Sequence, residues 1–278
     1  MAELPRIKEK IETTIDLRSI KEKPKDAQRV QEEIKLVRIE CGVGGAQTFH
    51  RVKNVDFVKC IFSRQTFFKI NFYNCTFTDC ILNGAEFESC EFHSCRFVNS
   101  CFFKASFEKT YLDPRSFNFS AKWYWHYANV NVWLFQELYR NSKDIHQEVF
   151  AMHADRRFQF YKRYENIFGQ RKSVVKFISS LVYDMVLGCG YGIWNALVCT
   201  VLGVSLFAFI IKDHIGGAGD INIVKALYFA VVSFTTVGYG DILPEKDDFA
   251  LILTMLFLFC SVIWLAIVTA IIVKRMVK

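Results

Sequence analysis

From position 52 to position 117 an apolar residue stands at every fifth position: Val52, Phe57, Phe62, Phe67, Phe72, Phe77, Leu82, Phe87, Phe92, Phe97, Phe102, Phe107, Leu112 and Phe117. A helix repeats every ~3.6 residues and a flat strand every ~2, so neither buries such a series on one side. A chain that sends one large side chain inward per five residues must turn a corner once per repeat. Two positions before each large residue sits a second inward candidate, usually small: Val55, Cys60, Cys75, Cys80, Ala85, Cys90, Cys95, Ser100, Ala105 and Thr110. Gln65, Ile70 and Arg115 depart from it, so bulges or a frayed last coil are expected there.

This pattern resembles the pentapeptide-repeat family over residues 50–119. The resemblance implies a right-handed quadrilateral β-helix whose core takes the large residue, with the small one tucked beside it. Fourteen repeats then make about three and a half coils, a stack ~15 Å tall at ordinary strand spacing. Cys60, Cys75, Cys80, Cys90 and Cys95 become small core fillers rather than metal ligands. An open β-helix leaves sheet edges at both ends, which must be covered. Residues 1–49 supply an N-terminal segment and cap, with a strand expected over 34–39. Trp123, Tyr124, Trp125 and Tyr127 read as a hydrophobic cap at the other end; a base-stacking platform is the alternative. Some pentapeptide-repeat proteins mimic duplex DNA, which needs a strongly acidic surface. Residues 50–119 hold nine Lys or Arg against seven Asp or Glu, so no nucleic-acid partner is expected.

Residues 120–172 read as the aromatic cap and a helical linker, with two helices over 130–168 broken near Asn141. The basic residues Arg156, Arg157, Lys162 and Arg163 either face anionic lipid or solvate a helix surface. Over 173–192 an apolar stripe of Val174, Phe177, Ile178, Leu181, Val182, Met185 and Val186 opposes Lys176, Ser180 and Asp184, the pattern of an interfacial amphipathic helix too short and polar to span. It carries no arginine ladder, so no intrinsic voltage sensor is expected.

Residues 193–211 and 249–273 are uncharged runs long enough, as helices, to cross a hydrocarbon core of ~30 Å. The first thirty residues lack the apolar segment of a signal peptide, and Lys and Arg flank the spans at 171–176 and 274–278. Residues 212–248 hold three Lys against six Asp or Glu. Both termini are therefore expected in the cytoplasm and the connector outside, in a multi-pass protein of the cell membrane. Ten cysteines without a C-x-x-C pair, seven of them before residue 172, are expected to be reduced.

Between the spans an apolar pore helix is expected over 221–234, with Asp220 as N-cap, followed by Thr235-Thr236-Val237-Gly238-Tyr239-Gly240-Asp241. A cation stripped of its water needs rings of oxygen. Backbone carbonyls that all face one axis need alternating φ signs, which Gly238 and Gly240 permit. The order span, pore helix, T-V-G-Y-G, span over residues 193–278 resembles the two-transmembrane potassium channels, with an all-α pore domain. The resemblance implies ion sites at the carbonyls of Thr236, Val237, Gly238 and Tyr239, with the Thr236 hydroxyl at the inner end. Thr235, Gly240 and Asp241 support the filter, with the Tyr239 ring packed outward. It also implies a homotetramer, since one chain supplies one filter strand. Departures are Tyr228-Phe229 at a tandem aromatic position and Val232 where some relatives place Glu, so other hydrogen bonds must hold the filter.

The resulting expectation is a multidomain, non-enzymatic subunit of a potassium-selective channel in a lipid membrane, with K⁺ as permeant ion and no cofactor. The repeat domain regulates gating or assembly through a cytoplasmic regulator the sequence does not identify. The alternatives are a membrane-anchored scaffold and a less selective cation channel. Residues 249–273 contain neither Gly nor Pro, so gating force is expected to enter near Gly188, Gly190 and Gly192 rather than at a hinge in the second span.

Overall fold

The computed structural model describes residues 50–169, 172–216, 222–245 and 247–276, together with Pro5 and the short strands 13–16, 32–35 and 37–40. The chain divides into two compact units, Met1–Ser180 and Leu181–Lys278.

In the first unit the repeats wind into a four-faced parallel β-helix in which each residue lies above the one twenty positions earlier. One face stacks His50–Lys53, Ile70–Tyr73, Glu91–His93 and Tyr111–Leu112. The next stacks Glu32–Lys35, Val55–Val58, Thr76–Thr78, Arg96–Val98 and Phe117–Asn118. A third is reduced to single bridges, Ile61 to Ile81 to Cys101, and the fourth stacks Thr66–Phe68, Glu86–Glu88 and Ser106–Glu108. All fourteen residues of the five-residue series lie inside, none more than 7% exposed. Their rings form columns: Phe57, Phe77, Phe97 and Phe117 stack at centroid spacings of 4.9, 4.9 and 4.7 Å, and neighbouring columns meet edge to face.

The small positions do more than fill space. The thiols of Cys80, Cys90 and Cys95 donate to the carbonyls of Phe57, Phe67 and Phe72 in the coil below, at 3.3, 3.2 and 3.5 Å. The hydroxyls of Ser100 and Thr110 do the same to Phe77 and Phe87, both at 2.9 Å. Where the small side chain carries a donor it bonds to the coil below, which explains why Cys, Ser and Thr interchange there, while Ala85 and Ala105 only fill the space. Ile70, larger than the pattern expects, is still buried. At Arg115 the expected fraying takes the form of a 3-10 turn, Pro114–Ser116, with the guanidinium turned out onto Asp113 at 2.8 Å.

Each corner is made by a residue in the left-handed region, from Asn54, Lys59 and Arg64 through Lys104 and Lys109; all are non-glycine except Gly84. For an ordinary residue this conformation costs about 1–2 kcal/mol. In the lower coils it is held because the corner N–H reaches the next coil, as from Lys59 to Thr78 O at 2.9 Å and from Asn74 to His93 O at 2.9 Å.

The strand expected over 34–39 is two strands with different partners. Glu32–Lys35 pairs with Val55–Val58 of the first coil, while Val37–Glu40 pairs in parallel with Thr13–Asp16. The far end is closed by three helices, α1 (Lys122–Trp125), α2 (Ala128–Asp144) and α3 (Glu148–Phe168). Trp123 is buried over Cys101 and Val130, but Trp125 stays 55% exposed, so the aromatic cluster is only part of the cap. Phe135 packs edge to face on Phe117, and Leu134 and Leu138 join the same core.

The break expected near Asn141 lies instead at residues 145–147, where His146 turns left-handed. Asn141 remains helical because its side chain has partners elsewhere. The Thr110 N–H donates to its Oδ1 at 3.0 Å, and its Nδ2 donates to Thr110 O at 2.7 Å, so one buried amide closes an open strand edge. The Arg157 guanidinium bonds to Phe117 O in the same way.

Helix α4 (Val174–Leu187) straddles the boundary between the units and buries none of its residues. In the second unit a short left-handed turn at 188–190 leads to α5 (Ile193–Ile211), α6 (Ile223–Phe234) and α7 (Asp248–Met276). The stretches led by α5 and α7 are long and apolar enough to cross a membrane, while α6 is not. Their shared core is Val204, Phe207, Ala208 and Ile211 against Ala226, Phe229, Ala230 and Ala250, with Phe207 stacked on Phe257 at 3.7 Å. Trp264 of α7 donates its indole N–H to the Thr200 hydroxyl of α5 at 2.7 Å, and that hydroxyl donates to Ala196 O at 2.8 Å.

Candidate functional site: the loop after helix α6

Helix α6 begins at Asn222, whose side chain accepts from the Lys225 N–H at 3.0 Å. The cap was expected at Asp220, which lies outside the described residues; Asn222 fills that role. Ala226, Phe229, Ala230 and Ser233 face inward against α5 and α7, and this sets where the helix ends.

At that end the loop folds back on the last turn. The N–H groups of Thr235, Thr236 and Val237 donate to the carbonyls of Val231, Ser233 and Val232 at 2.9, 3.1 and 3.1 Å, and the Thr235 hydroxyl adds a bond to Val231 O at 2.8 Å. Val232 therefore contributes through its backbone, where the departure from Glu removed a side-chain partner. Three N–H groups pointing back leave the carbonyls of the same peptides free to point the other way.

Beyond this anchor the backbone alternates. Thr236, Gly238 and Gly240 have φ of 58, 58 and 77°, whereas Val237 and Tyr239 are absent from the left-handed set. Alternation between the two hands turns successive peptide planes so that their carbonyls share one side, the geometry a cation-coordinating strand requires. The glycines were expected to supply it. Thr236 was not, since a β-branched residue rarely adopts positive φ. No Cβ contact within 4 Å would oppose a side chain at Gly238 or Gly240, so it is the positive φ, which glycine adopts without strain, that favours glycine there.

Residues 235–241 are all exposed, Tyr239 at 72% and Val237 at 52%. The outward packing expected for the Tyr239 ring thus has no protein partner within one chain. Tyr228 of the tandem aromatic pair faces the loop instead, its hydroxyl lying near the Asp241 carboxylate. Its neighbour Phe229 is buried against Phe207, 6.2 Å between centroids. The link between Tyr228 and Asp241 was missed in the sequence because the partners lie thirteen residues apart on different elements.

Outside the loop, Ile215–Gly216 pairs antiparallel with Leu243–Pro244, and His214 lies 3.2 Å from Asp247, so the segments flanking α6 are tied together. Among the described residues no cluster of three or more His, Cys, Asp or Glu is placed to hold a metal ion.

A family model described as "Ion channel" matches residues 174–278, and one for pentapeptide repeats matches eight copies over residues 70–108. "Two pore potassium channel b" of Oryza sativa subsp. japonica is 42% identical over 62 residues, 22% of this chain and 17% of the relative. "Two-pore potassium channel 4" of Arabidopsis thaliana is 38% identical over 69 residues, 25% of this chain and 24% of the relative. "Potassium channel subfamily T member 1" of Gallus gallus is 29% identical over 82 residues, 29% of this chain and 6% of the relative. The chain thus spans less than a quarter of the length of each of these proteins. It unites pentapeptide repeats with a C-terminal domain of the ion-channel family.

Proposed function

We propose that four copies of this chain surround one axis to form a potassium-selective channel. The ion sites are the carbonyls of Thr236, Val237, Gly238 and Tyr239, supported by Thr235, Gly240 and Asp241. The observation that carries the reading is the alternating backbone of residues 236–240, anchored on α6 between two helices long enough to span. A ring of carbonyls replaces the water a permeating K⁺ gives up, and no charged side chain between 235 and 240 takes part in choosing the ion. One strand cannot enclose an ion. The exposure of the whole loop in a single chain fits a site completed by further copies. The C-terminal end of α6 turns its dipole toward the same axis, which favours a cation there.

In this reading both termini are cytoplasmic and the 212–248 connector is outside, following the Lys and Arg distribution. The β-helix is then a cytoplasmic module that regulates gating or assembly, and the potassium channels among the relatives point to the permeant ion.

The test is recording from purified, reconstituted protein under opposed K⁺ and Na⁺ gradients. A reversal potential that follows K⁺ supports the reading; one that follows Na⁺ as closely refutes the selectivity. Deletion of residues 1–172, which removes the coils with the helices that cap them, separates the roles. Altered open probability with K⁺ preference retained is expected, and unaltered gating in an assembled tetramer leaves the β-helix no regulatory part.

A further inference from the structure

The first unit buries most of its aromatic residues, and Trp125 and Phe168, the most exposed among those described, meet at the end of α3. A run of rings leads outward there: Phe160 to Tyr164 at 5.0 Å, Tyr164 to Phe168 at 6.5 Å, and Phe168 to Trp125 at 6.1 Å. The last two stay 50% and 55% exposed. The start of α4 continues the same character, with Val174 and Val175 exposed at 65% and 78% and Ile178 exposed as well. Two bonds hold the first half of α4 to α3: the Ser173 N–H donates to Asn166 O at 2.8 Å, and Arg163 Nε donates to the Ser180 hydroxyl at 3.4 Å.

The charge on this corner is basic. Lys122, Lys172 and Lys176 are exposed, while the neighbouring Glu165 carboxylate is engaged by Lys162 at 2.7 Å. Tryptophan and tyrosine beside exposed aliphatics, rimmed by lysines, match the boundary of a bilayer with anionic headgroups: rings sit at headgroup depth, aliphatics enter the acyl boundary and lysines meet phosphates. The covalent chain restricts the choice of partner. Only residues 188–192 separate α4 from α5, and five residues reach at most ~18 Å. A helix tethered so closely to a span remains near a lipid surface.

We propose that the corner formed by Trp125, Phe168, Val174 and Val175, with Lys122, Lys172 and Lys176, docks the repeat unit onto an anionic lipid surface. The inference rests on the reading of α5 as a membrane span. It assigns the edge of the cap, and not α4 alone, a place in the headgroup region, so that lipid charge acts directly on the unit that carries the β-helix.

The test uses the full chain in liposomes whose phosphatidylglycerol or phosphatidylcholine carries bromine near the top of the acyl chain. The emission lost on Trp125→Phe isolates that ring from the four other tryptophans, and its exposure makes the exchange mild. The expected result is that this emission is quenched by the brominated lipid, more by the anionic than by the neutral one, and that Lys172→Gln with Lys176→Gln removes the difference. Quenching by aqueous iodide alone would overturn the proposal, as would quenching by neither agent, which would mean a protein partner. Equal quenching by both lipids would overturn its anionic preference. K⁺ flux measured in the same liposomes keeps the two readings apart: flux with an iodide-quenched Trp125 sinks the docking surface only, and a lipid-quenched Trp125 without flux sinks the channel only.

Discussion

The two units use apolar residues in opposite ways. In the β-helix, Phe57, Phe77, Phe97 and Phe117 are at most 1% exposed and satisfy one another ring on ring. In the second unit Trp194 is 76% exposed and Phe259 68%, and the loop after α6 has no cover at all. The described part of the first unit closes its core on itself. The second leaves apolar helix faces and the loop backbone exposed, surfaces that suit the lipid and the further copies of the proposed channel. One fold is thus held by its own core, whereas the other presents its apolar surface outward.

The comparison breaks most sharply at Gly240, where φ is 77° and nothing crowds the site. Gly240→Ala should abolish potassium conduction in reconstituted protein and leave the thermal transition of the β-helix where it was. Retained conduction would show that the loop backbone does not carry the function. The reverse test is Phe77→Ala, which empties a position touching Phe57, Phe62, Phe72, Phe92 and Phe97. A loss of about 3–5 kcal/mol is expected in denaturant unfolding of the first unit, with ion preference unchanged in the channels that survive.

Asn141→Leu should cost about 2 kcal/mol in the same assay, because the Thr110 N–H and carbonyl lose their partner inside the cap. In the second unit Trp264→Phe removes the one indole hydrogen bond described between α5 and α7 and should cost only ~1 kcal/mol, read as a shift in the thermal dissociation of detergent-solubilised protein.

The smallest effect concerns alkali. Burial pushes the Cys90 thiol up from 9.0 to about 12, and Cys101 up to about 11. A raised pKa means the folded state favours the neutral thiol. Stability from these groups is complete below pH 9 and fades as pH rises through 11 and 12. Cys90→Ala should flatten the part of the pH-stability curve due to that thiol, and an unchanged slope would show that the thiol is not desolvated.

Much of the β-helix was legible because its information is local. A five-residue period names its own core, and Phe62 or Phe92 needs no distant partner to be recognised as inward. The corners were half legible. Asn54, Asn74 and Asn99 are residues that tolerate positive φ, but Lys59 and Lys69 carry no such mark; their conformation is imposed by the coil above. The end cap was read from its aromatic residues, yet a buried amide thirty-one positions from its partner closes the edge, and no local pattern announces Asn141. Around the loop after α6 the same division holds. The two glycines speak for themselves, whereas the positive φ of Thr236 and the approach of Tyr228 to Asp241 arise only once α6 and the loop are folded together.

The five-residue corner makes the solenoid a ruler with a turning dial. Since four corners complete a coil and the cap grips only the topmost one, inserting twenty residues would lift the cap by one strand spacing, ~4.8 Å, and return it to the same heading. Inserting five would leave the height almost unchanged but swing α2 and α3 a quarter turn around the axis, carrying Trp125 and Phe168 to a different side of the molecule. Changes in chain length are therefore sorted by arithmetic: multiples of twenty alter reach, other multiples of five alter direction, and any remaining number destroys the alternation of large and small residues that the core requires.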